Sequence, residues 1–280
     1  MSHQLTISEA MAKSLELTSS SASLDVELLL CHVLDCERAY LRTWPDKSLD
    51  QDQTEHFLSL VSQRQKGRPI AHLIGQRDFW TLNLKVNEHT LIPRPDTEVL
   101  VERALNLPLD KSAISVLDLG TGTGAIALAL ASERPAWQVN GVDRFPKVIE
   151  LARQNANLNS LPHVEFFCSD WFSAFREQRF SLIVSNPPYI DAKDKHLREG
   201  DVRFEPASAL IAEDQGMADI KKITHDAREF LEAGGWLLFE HGYDQAELVR
   251  SVLKKAGYQQ VETSKDYGGN DRVTQGQWTG

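Results

Sequence analysis

The chain is poor in several features that define common protein classes. It holds three cysteines among 280 residues, an odd number with no metal-ligand spacing. A disulfide framework is therefore not expected. Cys31, Cys36 and Cys168 suit a reducing cytoplasm and read as small buried hydrophobes. The nine histidines form no HxxxH or HxH cluster, so no metal site is expected. No apolar run approaches the length of a membrane span. The opening Met1-Ser-His-Gln-Leu-Thr6 lacks the basic region and apolar core of a secretory signal. Basic residues are in deficit, with a net charge of -10. That weighs against a partner held mainly by phosphate contacts, which need clustered Lys and Arg. Neither a membrane nor a direct nucleic-acid partner is expected.

What is present is an ordinary globular composition, 41% hydrophobic and 25% charged, long enough for a large and a small domain. Residues 1–75 carry apolar residues at helical spacing, as in Ser8–Leu17, in the run from a Ser23 cap to Leu34, and in Asp52–Arg64. They predict a small helical domain with no catalytic cluster. Residues 76–95 change period: Phe79–Val86 alternates, residues 87–90 turn, and Leu91-Ile-Pro-Arg-Pro95 follows. This predicts a β-hairpin linker with its turn at 87–90. Residues 96–280 predict an α/β domain. Strand patterns at Ile114–Leu119, Gln138–Val142, Val164–Cys168, Phe180–Ser185 and Trp236–Glu240 alternate with helical ones. Such alternation implies a Rossmann-like, mostly parallel sheet with helices on both faces. The final strands, Gln260–Thr263 and Val273–Trp278, have only a turn between them and predict an antiparallel C-terminal hairpin.

Asp118-Leu-Gly-Thr-Gly-Thr-Gly124 follows a predicted strand and opens a helix. Gly120, Gly122 and Gly124, with Thr121 and Thr123 between them, let the backbone turn sharply and approach a ligand closely. Nineteen residues beyond Gly124, Asp143 ends the next strand, where a carboxylate can accept from two ribose hydroxyls. The series points to an adenosine-containing ligand. The loop alone leaves that ligand open, since Gly122–Ala127 also fits the dinucleotide pattern G-x-G-x-x-A. Asp118 suits a cationic amino-acid tail, such as that of S-adenosyl-L-methionine, better than a pyrophosphate. Trp171, after the third strand, is placed to stack on an adenine; the alternative is a core tryptophan.

Asn186-Pro-Pro-Tyr189 follows the apolar strand Phe180–Ser185. Two prolines end the ladder, and Pro187 holds Asn186 extended. The stiff turn offers the Asn186 carboxamide, the Pro187 carbonyl and the Tyr189 ring. Together with Pro188 these can grip a planar group bearing an NH2. A dehydrogenase would offer a hydride-partner site there instead.

With both halves in view, the chain resembles the class I methyltransferases, and most closely the bacterial release factor glutamine methyltransferases (the HemK/PrmC family). The motifs that carry the resemblance are Leu91–Glu98, Asp118–Ala127, Val142-Asp143, Ser185–Ile190, Glu205–Leu210 and Asp266–Thr274, together with the helical N-terminal part. Asn-Pro-Pro-Tyr alone is shared with nucleic-acid adenine methyltransferases. The resemblance implies S-adenosyl-L-methionine held at Gly120–Gly124, Asp143, Trp171 and Asn186. It implies that Asn186 through Tyr189 bind the glutamine of a Gly-Gly-Gln loop in peptide chain release factors, with Asn186, Pro187 and Tyr189 serving catalysis. The N-terminal domain would dock that protein. A ribosomal-protein glutamine is the nearest alternative acceptor, and a nucleic-acid adenine N6 a more distant one that would need a basic groove. Arg94 and Asp96 are expected to lock the hairpin, Glu205-Pro206 to shape the rim, and His241 to support rather than catalyse.

Overall fold

The computed structural model describes residues 4–109 and 113–280. The chain forms two compact units: residues up to Gln76 with Arg198–Phe204, and Arg77–Leu197 with Glu205–Gly280.

The first unit is helical, with helices at Ile7–Met11, Ala22–Leu34, Arg38–Thr43, Gln51–Gln65 and Ile70–Ile74. Two of them start at capping boxes. Thr6 Oγ1 accepts from Glu9 N while Glu9 accepts from Thr6 N, and Asp50 and Gln53 repeat the arrangement. Each box satisfies backbone donors that a helix end leaves free. Val26, Leu29, Leu30, Phe57, Leu60 and Val61 bury the facing stripes. The second helix starts at Ala22, before the expected Ser23 cap, because Ser21 takes the N-cap position. Buried Asp25 accepts from Arg64 Nε at 2.8 Å, and Arg64 Nη1 reaches Asp201 at 3.1 Å. That bridge joins the distant Arg198–Phe204 segment to this unit.

In the second unit a two-stranded hairpin, β1 (Gln76–Phe79) and β2 (Leu82–Lys85), precedes the main sheet. Its turn lies at Trp80-Thr81, not at 87–90, and Leu91–Pro95 forms no strand. Trp80 adopts the left-handed conformation that a tight turn requires, at φ +56°. Pro93 and Pro95 have no N–H to give a ladder. The main sheet comprises β3 (Ser115–Leu119), β4 (Gln138–Asp143), β5 (Glu165–Cys168), β6 (Phe180–Ser185), β7 (Leu231–Glu240), β8 (Gln259–Lys265) and β9 (Asp271–Gln277). Among the described residues it has seven strands in the order β5-β4-β3-β6-β7-β9-β8. Pairings from β5 through β7 are parallel, while those of β9 with β7 and β8 are antiparallel.

Every residue of β6 is buried, as a strand covered on both faces requires. Successive side chains alternate between layers. Val116, Leu182, Val184 and Leu238 pack with helices Glu98–Leu105 and Ala125–Glu133. Leu117, Leu119, Ile183, Leu237 and Phe239 pack with Ala218–Phe230 and Ala246–Lys255. Gly141 in β4 is needed because a Cβ there would lie 2.6 Å from the Phe166 ring and 2.7 Å from the Thr121 hydroxyl. The chain winds from β3 outward to β4 and β5, then returns to β6 on the other side. The carboxyl ends of β3 and β6 thus flank the point where the winding reverses, where open α/β sheets bind ligands. The cysteines depart from expectation: Cys31 and Cys36 are half-buried and Cys168 is exposed at the sheet edge.

Candidate active site

A cavity of about 330 Å³ opens at the carboxyl ends of β3, β4 and β6. This is within the range of small-molecule sites. The glycine loop forms one wall. Gly120, Gly122 and Gly124 all have positive φ, and Thr121 N is tied back to the Val142 carbonyl at 2.8 Å. A Cβ at Gly124 would also crowd Phe166 at 3.1 Å and Leu128 at 3.2 Å. The loop can therefore turn into helix Ala125–Glu133 with its backbone exposed to a ligand.

Asp118 and Asp143 have different roles. Asp143 lines the cavity. It accepts from Gly122 N at 3.3 Å and Phe145 N at 3.2 Å. An ionised carboxylate has about four acceptor positions, so two remain for hydroxyls of a ligand. Burial raises the Asp143 pKa, and the backbone N–H groups of Phe145, Gly122 and Arg144, with the Arg144 charge, oppose that rise. Asp118 is fully buried and is not among the lining residues. Its Oδ2 accepts from the Thr121 hydroxyl at 2.7 Å and from Ala127 N at 3.3 Å. Burial pushes its pKa up to about 7. Asp118 thus braces the loop from behind through Oδ2, while its Oδ1 has no hydrogen-bond partner among the described residues.

Aromatic side chains supply another wall. Trp171 lines the cavity, and its ring lies 3.6 Å from where a Cβ on Gly120 would stand. Ser169 holds this turn, donating to the Trp171 carbonyl at 2.8 Å. Phe145, which the sequence reading did not single out, also lines it and is 41% exposed.

The Asn-Pro-Pro-Tyr turn begins where β6 ends. Ser185 pairs with Leu119 across the ladder, and its hydroxyl donates to the Leu119 carbonyl at 2.8 Å. That register sets Asn186 beside the glycine loop. Asn186 and Pro188 line the cavity; Pro187 is buried behind it, and Tyr189 lies outside the lining. The Tyr189 hydroxyl donates to Glu240 Oε1 at 3.3 Å. Burial raises the pKa of both groups. Asn186 Nδ2 donates to the Thr97 hydroxyl at 3.4 Å.

Glu205 accepts from Ile92 N at 2.9 Å and from Arg94 Nη2 at 2.6 Å. It fastens the Leu91–Pro95 segment to the Glu205–Ala212 segment, which in turn bonds to Ile190 beyond the turn. Asp96 stands 3.9 Å from Arg272. His241 is fully buried, with Nδ1 donating to the Gly242 carbonyl and Nε2 accepting from Thr274. Burial lowers its pKa, so it stays neutral away from the cavity. Thr97 and Glu240 were not foreseen. The only sequence signal for Glu240 is a carboxylate ending the apolar run Trp236–Phe239.

A glycine-rich turn after β3, an acid after β4 and Asn-Pro-Pro-Tyr after β6, all meeting at one switch point, define a class I methyltransferase. The PrmC N-terminal domain model matches residues 9–75, and the methyltransferase small domain model matches residues 95–216. The release factor glutamine methyltransferase of Shewanella oneidensis is 53% identical, covering 100% of this chain and 99% of that protein. The Escherichia coli protein of the same name is 50% identical, covering 93% and 94%. The chain belongs to the release factor glutamine methyltransferase family. A Pyrococcus furiosus methyltransferase structure shares the fold, with TM-score 0.54 at 17% identity over 82% of this chain and 100% of that one. Among the described residues, no helix is long and apolar enough to cross a membrane.

Proposed function

We propose that this protein transfers a methyl group from S-adenosyl-L-methionine to the side-chain amide nitrogen of the glutamine in the Gly-Gly-Gln loop of peptide chain release factors. The observation that carries this is the shared cavity. The carboxamide of Asn186 stands one strand from the glycine loop, and both line one space with Asp143 and Trp171. Relatives at 50–53% identity carry the corresponding name.

The residues present fit the cofactor. Asp143 retains acceptor capacity for ribose hydroxyls, Trp171 and Phe145 offer faces to an adenine, and the glycine loop admits close approach. When bound, S-adenosyl-L-methionine supplies an electrophilic methyl on a sulfonium. The chain's task is to hold the acceptor in line with that methyl in a site shielded from water. Positioning of this kind is worth roughly 7–11 kcal/mol. An amide nitrogen is a poor nucleophile because its lone pair is delocalised. Asn186 Oδ1 and the Pro187 carbonyl each accept one N–H of the substrate amide, which fixes the NH2 and enriches the nitrogen. A glutamate would set its negative charge against two unpaired acceptors and be rejected. The Tyr189 ring packs beside the amide plane. The helical unit, residues 1–75, docks the release factor; residues 76–95 link it to the catalytic domain, residues 96–280. The free thiols fit the cytoplasm, where translation factors act.

The test is direct. The protein and methyl-labelled cofactor are incubated separately with release factor, ribosomal protein and DNA. Label on the loop glutamine of the release factor is the expected result. Label on ribosomal protein or DNA alone would replace this reading.

A further inference from the structure

A carboxamide can face a substrate in two ways that differ only by exchange of oxygen and nitrogen. One presents Asn186 Oδ1, an acceptor for the substrate N–H. The other presents two N–H groups to an NH2 that itself donates. The two are nearly identical in shape, so packing alone does not choose between them. A neighbouring polar group must do so.

Thr97 is that neighbour. It closes the turn Pro95–Thr97, lines the same cavity as Asn186, and is 4% exposed. Its Oγ1 lies 3.4 Å from Asn186 Nδ2. Glu240 ends β7, which runs parallel to β6 with Ser185 opposite Phe239. Asn186 and Glu240 are therefore the next positions along adjacent strands. Glu240 is 2% exposed; its Oε1 accepts from Tyr189, its Oε2 has no hydrogen-bond partner among the described residues, and Thr97 stands near enough to oppose the rise of its pKa. Arg272 adds its positive charge to that environment. A hydroxyl carries a single proton, and an ionised carboxylate, the form that the Arg272 charge favours here against burial, only accepts. Once the Thr97 proton points at Glu240, only lone pairs face Asn186, and its Nδ2 must turn towards them.

We propose that Thr97, oriented by Glu240, is a positioning residue that holds the Asn186 carboxamide with Oδ1 free for the acceptor amide. It touches no reacting atom and acts through Asn186, so it rests on the amide-clamp reading above. Thr97→Val keeps the shape and removes the lone pairs, which frees the carboxamide to turn over. Thr97→Ser keeps the hydroxyl. Glu240→Gln places an NH2 behind Thr97, so the hydroxyl can donate to Asn186 Oδ1 and favour the wrong face.

The experiment measures kcat and KM with intact release factor, calorimetric affinity for S-adenosyl-L-methionine, and competition by a release factor whose loop glutamine is glutamate. Thr97→Val is expected to lower kcat roughly tenfold, the worth of about one hydrogen bond, with KM and cofactor affinity little changed. The glutamate competitor should bind several-fold more tightly, because a turned carboxamide offers N–H groups to a carboxylate. Glu240→Gln should show the same pair of changes, and Thr97→Ser should recover most of the lost rate. Asn186→Ala is run alongside. If Asn186→Ala is inactive while Thr97→Val turns over normally, the positioning role is wrong and the clamp stands. If Asn186→Ala is fully active, the clamp itself is wrong. If Thr97→Val and Thr97→Ser lose rate equally with no gain in competitor affinity, Thr97 is merely structural and the proposal fails.

Discussion

The buried carboxylates at the carboxyl end of the sheet are handled differently from Asp25 of the helical unit. In the helical unit, Asp25 accepts from the Ser21 hydroxyl at 2.8 Å on one oxygen and from Arg64 at 2.8 Å on the other. In the sheet unit, Asp118 Oδ1 and Glu240 Oε2 have no hydrogen-bond partner among the described residues. These two acids lie at the carboxyl end of the sheet, Asp118 beneath the glycine loop and Glu240 behind Asn186. Buried polar atoms are nearly always paired, so an unpaired one calls for a reason. A fully partnered acid holds a fold. Incompletely partnered acids under a cavity hold the groups that meet a ligand.

Four experiments break or sharpen this contrast, taken from the largest effect downward. Asn186→Ala removes an acceptor in the cavity without disturbing the core. Methyl transfer to release factor should fall on the order of a hundredfold while cofactor affinity persists, and a glutamate-bearing factor should take no label from the unaltered enzyme. Near-normal turnover would dissolve the amide clamp. Arg64→Ala attacks the satisfied acid. It leaves buried Asp25 with the Ser21 hydroxyl but no cationic partner and should destabilise the protein by about 2 kcal/mol in a denaturant titration. Calorimetry should show cofactor binding unchanged, because Arg64 belongs to the helical unit. A loss of cofactor affinity would show that the two kinds of acid are not separable.

Asp143→Ala tests the acid that faces the cavity. Losing a charged acceptor for two hydroxyls should weaken S-adenosyl-L-methionine roughly tenfold, and unchanged calorimetric affinity would remove Asp143 from the ribose. Asp118→Asn gives the smallest effect, on stability and its pH dependence. Burial holds the Asp118 pKa at about 7, above the ordinary value of 3.8. Its contribution to stability is therefore fully present below 3.8 and is lost as pH rises towards about 7. The neutral variant should lack that decline. Melting temperatures followed across this range in cofactor-free protein would expose it, and parallel curves for the two proteins would mean that Asp118 does not titrate there.

Much of the site was legible because its signals are local in the chain. The glycine loop, Asp143 and Asn186 each end or follow an apolar strand, and the alternation of strands and helices brings those ends to one edge of the sheet. The hairpin was read one turn too late. The alternation from Phe79 to Val86 continues through Trp80-Thr81, and no residue type there announces that Trp80 will take a positive φ. Asp118 reads as a ligand group by its position before the glycines; the structure adds that its Oδ2 is bound to Thr121 and Ala127 of the loop. No local pattern places the Arg198–Phe204 segment with the helical unit, to which the bridge from Arg64 to Asp201 ties it.

By itself the sequence determined the helical part, the mostly parallel sheet, the cofactor loop and the Asn-Pro-Pro-Tyr turn. Each of these follows from periodicity, backbone permissiveness or proline stiffness within a short stretch. Tertiary structure alone decided which way Asp118 faces, that Tyr189 meets Glu240, and that Thr97 stands against Asn186 from 89 residues away. Such contacts depend on strand register and on where a loop returns to the sheet. A hydrogen bond forms only when its two atoms come into close, well-aligned contact, and no local pattern encodes a distance between distant parts of a chain.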